Sequence, residues 1–162
     1  MRSMPSKIDK SKRSEAQKMH LSKFYTHGTI YWRMVKNTPE LFEAYKALAV
    51  SPVNAYNLAM KDFMSKPEIK DIRLDLNSSG HMPVIQILAT DVIGVQLVEV
   101  SVMLPDGNVL LSGPANRKGR SDLWLFACSP LDPSLREIRV KITAYDYPDN
   151  STIAERIFPI SS

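Results

Sequence analysis

The sequence holds one cysteine, three histidines and no long run of apolar residues among its 162 positions. A single cysteine, Cys128, excludes a disulfide within the chain and fits a reducing compartment. No apolar run is long enough to cross a bilayer, so we expect no contact with a membrane. The basic start MRSMPSKIDKSKRSEAQK is not followed by the apolar segment that a secretory signal requires. These absences predict a cytoplasmic or particle-associated protein.

The residue types that carry catalysis are equally sparse. The histidines, His20, His27 and His81, have no Cys, Asp or Glu partner at the spacing of a metal site or a catalytic triad. The phosphate-binding, dinucleotide-binding and nucleophile-elbow motifs are absent. Cys128 lies in LWLFACSP, where a buried and inert thiol is expected. We therefore predict a protein that is not an enzyme, with no catalytic residue, no cofactor and no metal.

Charge is distributed unevenly along the chain. Residues 1–36 carry nine lysines and arginines against two acidic residues, a net charge of +7. Because the whole chain has a net charge of +4, the remaining residues sum to −3. The pattern indicates a basic N-terminal part on a mildly acidic body.

Residues 1–13 are polar and charged, and we expect them to form a flexible basic arm. The cations of this part and the aromatic residues after it could neutralise phosphates and stack on bases. The alternative is a solvated tail whose aromatic neighbours pack on the helices, since no recognised nucleic-acid-binding fold accompanies it. The candidate contacts to nucleic acid or to a protein partner are Lys7, Lys10, Lys12, Arg13, Lys18, Lys23, Trp32 and Arg33.

Residues 14–66 are predicted to be a helical region. Ser14 suits an N-cap, Gly28 interrupts the first segment, and the β-branched and aromatic stretch TIYWRMV leaves its own conformation open. Thr38–Pro39 and Ser51–Pro52 each place a capping residue before a proline, which predicts two short helices in an αα-hairpin. Such helices are marginal alone. Their apolar faces must therefore pack on each other, on the C-terminal domain or on another chain.

Residues 67–162 change from helical spacing to alternation. Seven short segments separated by turn signals, such as PDGN at 105–108, predict an immunoglobulin-like antiparallel β-sandwich of about seven strands. The predicted fold class is thus α+β, a short helical N-terminal region followed by this sandwich. The residues expected in the core are Trp124, Phe126, Val98, Val100, Val140 and Ile142, with Ile85 and Ile87.

Two segments of this part carry a family resemblance. ILATDVIGVQLVEVSVMLPDGN resembles the second and third strands of bacterial immunoglobulin-like or fibronectin-III-like domains. VKITAYDYPDNST resembles the pattern that closes their penultimate strand, with Asp149 at a position where glycine is usual. The resemblance covers residues 67–160 and implies a β-sandwich. The whole chain is also similar to bacterial proteins with no assigned activity, so the resemblance implies no function.

The triplets ATD and AYD, which end in Asp91 and Asp146, would lie at one pole of such a sandwich. With Asp149 and the Asn150 carbonyl they would offer hard oxygen ligands for calcium. The chain lacks the Asp-x-Asp-x-Asp loop that would supply enough ligands, so we interpret these aspartates as caps of the turns that follow.

The functional hypothesis is a non-catalytic structural or interaction protein, a subunit or accessory of a larger assembly that binds a protein partner or itself through the N-terminal arm and helices. The alternative is a nucleic-acid-associated protein that binds the phosphate backbone through the arm. A carbohydrate-binding module would need export and a Trp124 exposed on the sandwich surface.

Overall fold

The structure is a computed structural model that describes residues 13–76 and 82–160. Its helical part consists of α1 (Glu15–Ser22), a π-helical segment (Lys23–Gly28), α2 (Thr29–Asn37), α3 (Pro39–Leu48) and α4 (Ala55–Met64). The strands are β1 (Glu68–Asp75), β2 (Val84–Thr90), β3 (Leu97–Met103), β4 (Val109–Pro114), β5 (Asn116–Arg117), β6 (Leu123–Ala127), β7 (Glu137–Tyr145) and β8 (Ser151–Pro159). Within these ranges, no helix has the length and apolar character that a membrane crossing requires.

The first helix begins where the sequence predicts. The Ser14 Oγ accepts a hydrogen bond from the Gln17 N–H (3.2 Å), and the Gln17 Oε1 accepts one from the Ser14 N–H (3.0 Å), which is a complete capping box. The predicted interruption at Gly28 is wrong, because the chain stays helical through the π-helical segment into α2. Gly28 is instead a point of close packing: a Cβ there would lie 2.1 Å from Met60 Cε of α4.

The predicted αα-hairpin exists, but its second helix starts later than expected. Pro39 opens α3 as predicted, although the Thr38 hydroxyl donates to the Met34 carbonyl (3.0 Å) rather than capping α3. The prediction that Ser51 caps the next helix and Pro52 opens it is wrong. A hydrogen bond from the Val53 N–H to the Val50 carbonyl (2.8 Å) closes a turn there. Asn54, an equally good cap, receives the Asn57 N–H (2.9 Å) and starts α4.

The strands form two four-stranded antiparallel sheets, with the orders β1-β2-β6-β5 and β4-β3-β7-β8. This arrangement is that of an immunoglobulin-like sandwich, so the predicted fold class is confirmed. The prediction of about seven strands missed β5, which lies between β4 and β6. With only two residues paired to Trp124 and Leu125, β5 is too short to show an alternating pattern.

Two apolar clusters fill the interior. The sandwich core contains every residue predicted for it, and its members include Trp124, Phe126, Val98, Val100, Val140, Ile142, Ile85 and Ile87. A smaller cluster in the helical region centres on Tyr31, Val35, Tyr45 and Ala59. Val92 and Ile93, from the loop between β2 and β3, pack against this second cluster. The helical region is therefore seated on one end of the sandwich.

Trp124 is 6% exposed, which removes the surface tryptophan that the carbohydrate-binding reading required. Its indole Nε1 is buried with no hydrogen-bond partner among the described residues. We expect Trp124→Ala to lower the free energy of unfolding by about 3–5 kcal/mol, as for other core aromatics. Trp124→Phe should cost much less, because it keeps most of the apolar contact and removes the unsatisfied N–H. Urea unfolding of both variants checks this, and equal losses would contradict it.

Candidate functional site

Three carboxyl groups meet where the helices join the sandwich. They belong to Asp62 of α4, Asp91 just after β2 and Asp146 just after β7, and one oxygen of each lies within 4.8 Å of the others. We call this group the carboxyl cluster. Asp62 is 0% exposed and Asp146 is 1% exposed. The sequence predicted that Asp91 and Asp146 share a pole, but the third member is Asp62 rather than Asp149, which is exposed.

The turn after β7 positions Asp146 and attaches the sandwich to α4. The Asp146 Oδ1 accepts from the Asn150 N–H (2.6 Å), and its Oδ2 accepts from the Asn150 side-chain amide (2.9 Å). The same amide nitrogen lies 3.3 Å from the Phe63 carbonyl of α4. Asp149 adopts the left-handed backbone conformation (φ 71°), which aspartate tolerates better than most residues. Asp146 thus caps its turn, as the sequence predicted.

Asp91 also accepts a backbone hydrogen bond, from the Val92 N–H to its Oδ1 (2.8 Å). That bond holds the start of the loop whose apolar residues enter the helical cluster. The carboxyl group therefore lies beside the contact between the loop and the helices.

Two buried tyrosines complete the surroundings of Asp62. The Tyr45 hydroxyl donates a short hydrogen bond to Asp62 Oδ2, and the Tyr31 hydroxyl lies 2.6 Å from the Tyr45 hydroxyl. Either tyrosine hydroxyl can donate in the second bond, and Tyr31 is the donor when Tyr45 donates to an ionised Asp62. The Tyr31 ring stacks on Phe63, with 5.5 Å between ring centroids. The two hydrogen-bonded tyrosines hold the Asp62 side chain in place from the side of the helices.

Burial dominates the electrostatics of the cluster. It raises the pKa of Asp62 to about 7, against the opposing effect of the Tyr45 hydrogen bond, and raises the pKa of Asp146 to about 6. Burial also raises the pKa of Asp91 and the pKa values of Tyr31 and Tyr45. No lysine or arginine in residues 13–76 and 82–160 forms a salt bridge with any of the three carboxyl groups. The cluster can therefore hold protons or a hard cation, the two species that neutralise buried carboxylates.

The predicted partner contacts are only partly described. Lys7, Lys10 and Lys12 lie outside the described residues. Arg13 is half-buried, and Lys18 pairs with Glu15 at 2.7 Å on the exposed side of α1.

The remaining predicted contacts differ in their surroundings. The Lys23 ammonium lies 5.4 Å from the centroid of the Phe63 ring, and Arg33 is exposed on α2. Trp32 packs against Phe42 (6.1 Å) and Tyr56 (5.4 Å between centroids). The Trp32 ring therefore packs mainly against other aromatic side chains within the helical region.

Apolar side chains are exposed along the helical region. Ile30 is 59% exposed and Met34 is 39% exposed, and their spacing places them on one face of α2. The set, which we call the helical apolar surface, is Met19, Tyr25, Ile30, Met34, Leu48, Val50, Val53 and Tyr56. Met and aromatic side chains of this kind are enriched at protein interfaces.

Among the described residues, Cys128, His20 and His27 are not part of the carboxyl cluster. Burial raises the pKa of the Cys128 thiol to about 11, so it is held as an unreactive thiol. His20 and His27 are exposed on the first helical segments, and His81 lies outside the described residues.

Comparison with known proteins finds no matching family model and no matching curated protein. Among solved structures, CopC from Methylosinus trichosporium OB3b is 12% identical, with a TM-score of 0.40 over 48% of this chain and 74% of that chain. A β-glucuronidase from Parabacteroides merdae is 17% identical, with a TM-score of 0.41 over 57% of this chain and 14% of that chain. These likenesses are too distant to carry an argument about this chain.

Sequence reasoning missed Asp62, Tyr31 and Tyr45 as partners of the two strand-end aspartates. The signal for Asp62 was its spacing: it lies three residues after Ala59 and next to Phe63, on the side of α4 that is buried. An acidic residue on the buried side of a short helix indicates a polar partner within the fold.

The raised pKa values give a definite pH dependence. A carboxyl group whose folded pKa exceeds its unfolded value of about 4 binds more protons in the folded state, so its contribution to stability is present at low pH and lost as pH rises through the folded pKa. For Asp62 the loss occurs between about pH 4 and pH 7. In buffer with EDTA, urea unfolding at pH 5, 6, 7 and 8 should show stability falling as pH rises. Asp62→Asn should flatten this dependence, and an unchanged slope in the variant would contradict the assignment.

The hydrogen bonds that join Tyr31, Tyr45 and Asp62 lead to a second prediction. Tyr45→Phe leaves both the Asp62 carboxyl and the Tyr31 hydroxyl without their buried partner, and should lower the free energy of unfolding by about 1–3 kcal/mol. Tyr31→Phe is the matched control, because Tyr45 keeps its bond to Asp62 and the cost should be smaller. Chemical unfolding at pH 7 compares the two, and a larger loss for Tyr31→Phe would contradict the central place of Tyr45 between Tyr31 and Asp62.

Proposed function

We propose that this protein is a non-catalytic structural subunit that binds other protein through its helical region and forms part of a larger assembly. The observation that carries the proposal is the helical apolar surface, on which Met19, Tyr25 and Val50 are each about 70% exposed. Scattered apolar residues are normal on proteins, but this set covers short helices whose inward faces are already filled by their own core. The exposed faces thus remain available to a partner.

The attachment of the helices to the sandwich supports the same role. Asn150 bridges the turn after β7 and α4, Val92 and Ile93 enter the helical cluster, and Asp62 meets the two strand-end aspartates. These contacts hold the helical apolar surface in a fixed orientation relative to the sandwich. A fixed orientation lowers the entropy lost on association.

The partner that we propose for the helical apolar surface is a second copy of this chain, bound head to tail. Residues 1–36 carry a net charge of +7, so contact between two helical regions is opposed by repulsion. Residues 67–162 contain twelve acidic and nine basic residues and do not repel the basic part. The sandwich also exposes apolar side chains on its edge strands, among them Val109 of β4 and Ile153 and Ile157 of β8. A head-to-tail contact of this kind builds rings or filaments rather than a closed dimer.

We further propose that the sandwich belongs with the bacterial immunoglobulin-like or fibronectin-III-like domains. The support is its strand order and the Ala-x-Asp ends of β2 and β7.

Nucleic-acid binding through the basic N-terminal part is the alternative proposal. Arg33 and Lys36 are exposed on α2 and add to the lysines of the arm. Because Trp32 is packed between Phe42 and Tyr56, such binding would depend on phosphate contacts more than on base stacking.

Self-association is tested by light scattering on the full-length protein over a range of concentrations. We expect an average mass above the 18.3 kDa of one chain that grows with concentration. Ile30→Asp places a charge on the helical apolar surface and should weaken association at least tenfold. Asn57→Asp is the matched control, since it adds the same charge at an exposed helical position that is already polar. Substitution is a cleaner test than deleting residues 1–36, which would remove Tyr31 and Val35 from the core.

A mass of one chain at every concentration would overturn the proposal of self-association. In that case, binding to a mixed-sequence oligonucleotide distinguishes the alternative. Affinity that falls steeply between 50 and 200 mM salt, roughly in proportion to the number of phosphates contacted, and that is unaffected by Ile30→Asp would favour nucleic acid.

A further inference from the structure

Two oxygens of the carboxyl cluster are buried without a hydrogen-bond donor. They are Asp62 Oδ1 and Asp91 Oδ2, and neither has a partner among the described residues. Asp62 itself is 0% exposed, so its side chain is shielded from bulk solvent. A buried carboxylate oxygen with no partner costs free energy, and a native structure that keeps one usually holds a ligand or a proton there.

The other four oxygens of the cluster accept hydrogen bonds from the surrounding protein. Asp62 Oδ2 receives the Tyr45 hydroxyl, Asp91 Oδ1 receives the Val92 N–H, and both oxygens of Asp146 receive donors from Asn150. All of these donors come from helices and turns that surround the cluster. One oxygen of Asp62 and one of Asp91 lie within 4.8 Å of each other. The two oxygens without donors are therefore free to bind a ligand held between the carboxyl groups.

The spacing of the oxygens suits one metal ion. Calcium binds oxygen ligands at about 2.3–2.6 Å, so two of its ligands can be at most about 5 Å apart. One oxygen of each carboxyl group lies within 4.8 Å of the others, which is inside that limit. Three carboxylates with no cationic side chain paired to them in the described part of the chain also carry the negative charge that a divalent ion neutralises.

We propose that Asp62, Asp91 and Asp146 bind a calcium ion that joins the helical region to both sheets of the sandwich. The ligands are hard carboxylate oxygens, which calcium and magnesium prefer over softer donors. Calcium is favoured because the site is buried, and magnesium gives up its water reluctantly. With only three carboxylates as protein ligands, affinity falls in the weaker range of calcium sites, with a dissociation constant of about 0.1–1 mM.

The turn after β7 by itself offers too few ligands for calcium, and its Asp149 is exposed. The site proposed here draws its ligands from three elements that are far apart in sequence, and the sequence alone could not bring Asp62 to the other two. The ion would take the place of the protons that otherwise neutralise the cluster, so the two compete for the same oxygens.

The test is thermal unfolding of the full-length protein at pH 7.5, after treatment with EDTA, in 0–10 mM CaCl2 at constant ionic strength. We expect calcium to raise the unfolding midpoint by about 3–8 °C, and magnesium to raise it much less. Terbium is the spectroscopic probe, because Tyr31 and Tyr45 lie beside the site and can sensitise its emission. Calcium should displace the bound terbium.

Asp91→Asn keeps the shape of the side chain and removes one ligand charge, and it should abolish the calcium shift and the terbium signal. Asp149→Asn is the matched control in the neighbouring turn, and it should respond to calcium as the native chain does. If Asp91→Asn fails to fold by circular dichroism, Asp62→Asn replaces it, and the terbium competition in the native chain remains a test that needs no variant.

Absence of both calcium effects in the native chain would show that protons alone hold the cluster, and an equal shift in both variants would place the ion elsewhere. Either result overturns the proposal.

Discussion

The burial of the Asp62 carboxyl group is the constraint on which the junction depends. A carboxyl group with no exposed surface is tolerated only where the fold supplies partners, and here these are Tyr45 directly and Tyr31 behind it. The same group brings α4 against the two turns that follow β2 and β7. If α4 moved away, each of the three carboxyl groups of Asp62, Asp91 and Asp146 would need other polar partners. The contact between them therefore fixes how the helices sit on the sandwich.

This junction decides which surfaces face outward. Because Tyr31, Val35 and Tyr45 face the helical core and receive Val92 and Ile93 from the sandwich, the opposite sides of the same helices are left to solvent. The apolar residues found there, such as Ile30 and Met34 of α2, have no place in either core. The proposed role in assembly therefore depends on which apolar residues the two cores bury and which they leave exposed.

The sandwich was predictable because its pattern is local. Alternation in segments such as EIRVKITAY places every second residue inward, and the burial of Ile138, Val140, Ile142 and Ala144 follows that pattern. The helical region was less predictable. Ser51 and Asn54 are similar N-caps, and only the turn at Val50–Val53 selects between them. Gly28 resembles a helix break in sequence, whereas its packing against Met60 explains why a glycine occupies this position within a continuous helix.

The sequence by itself determined the α+β order, the strands other than β5 with their inward faces, and the two aspartates at strand ends, because each depends on residues close together in the chain. Only the tertiary structure decided that Asp62 joins those aspartates, since it lies 29 and 84 positions from them in the sequence. It also decided that Trp32 is packed rather than available, and that Ile30 and Met34 are exposed. These outcomes depend on how elements dock, and docking is set by packing and by the satisfaction of buried polar groups, neither of which a local pattern records.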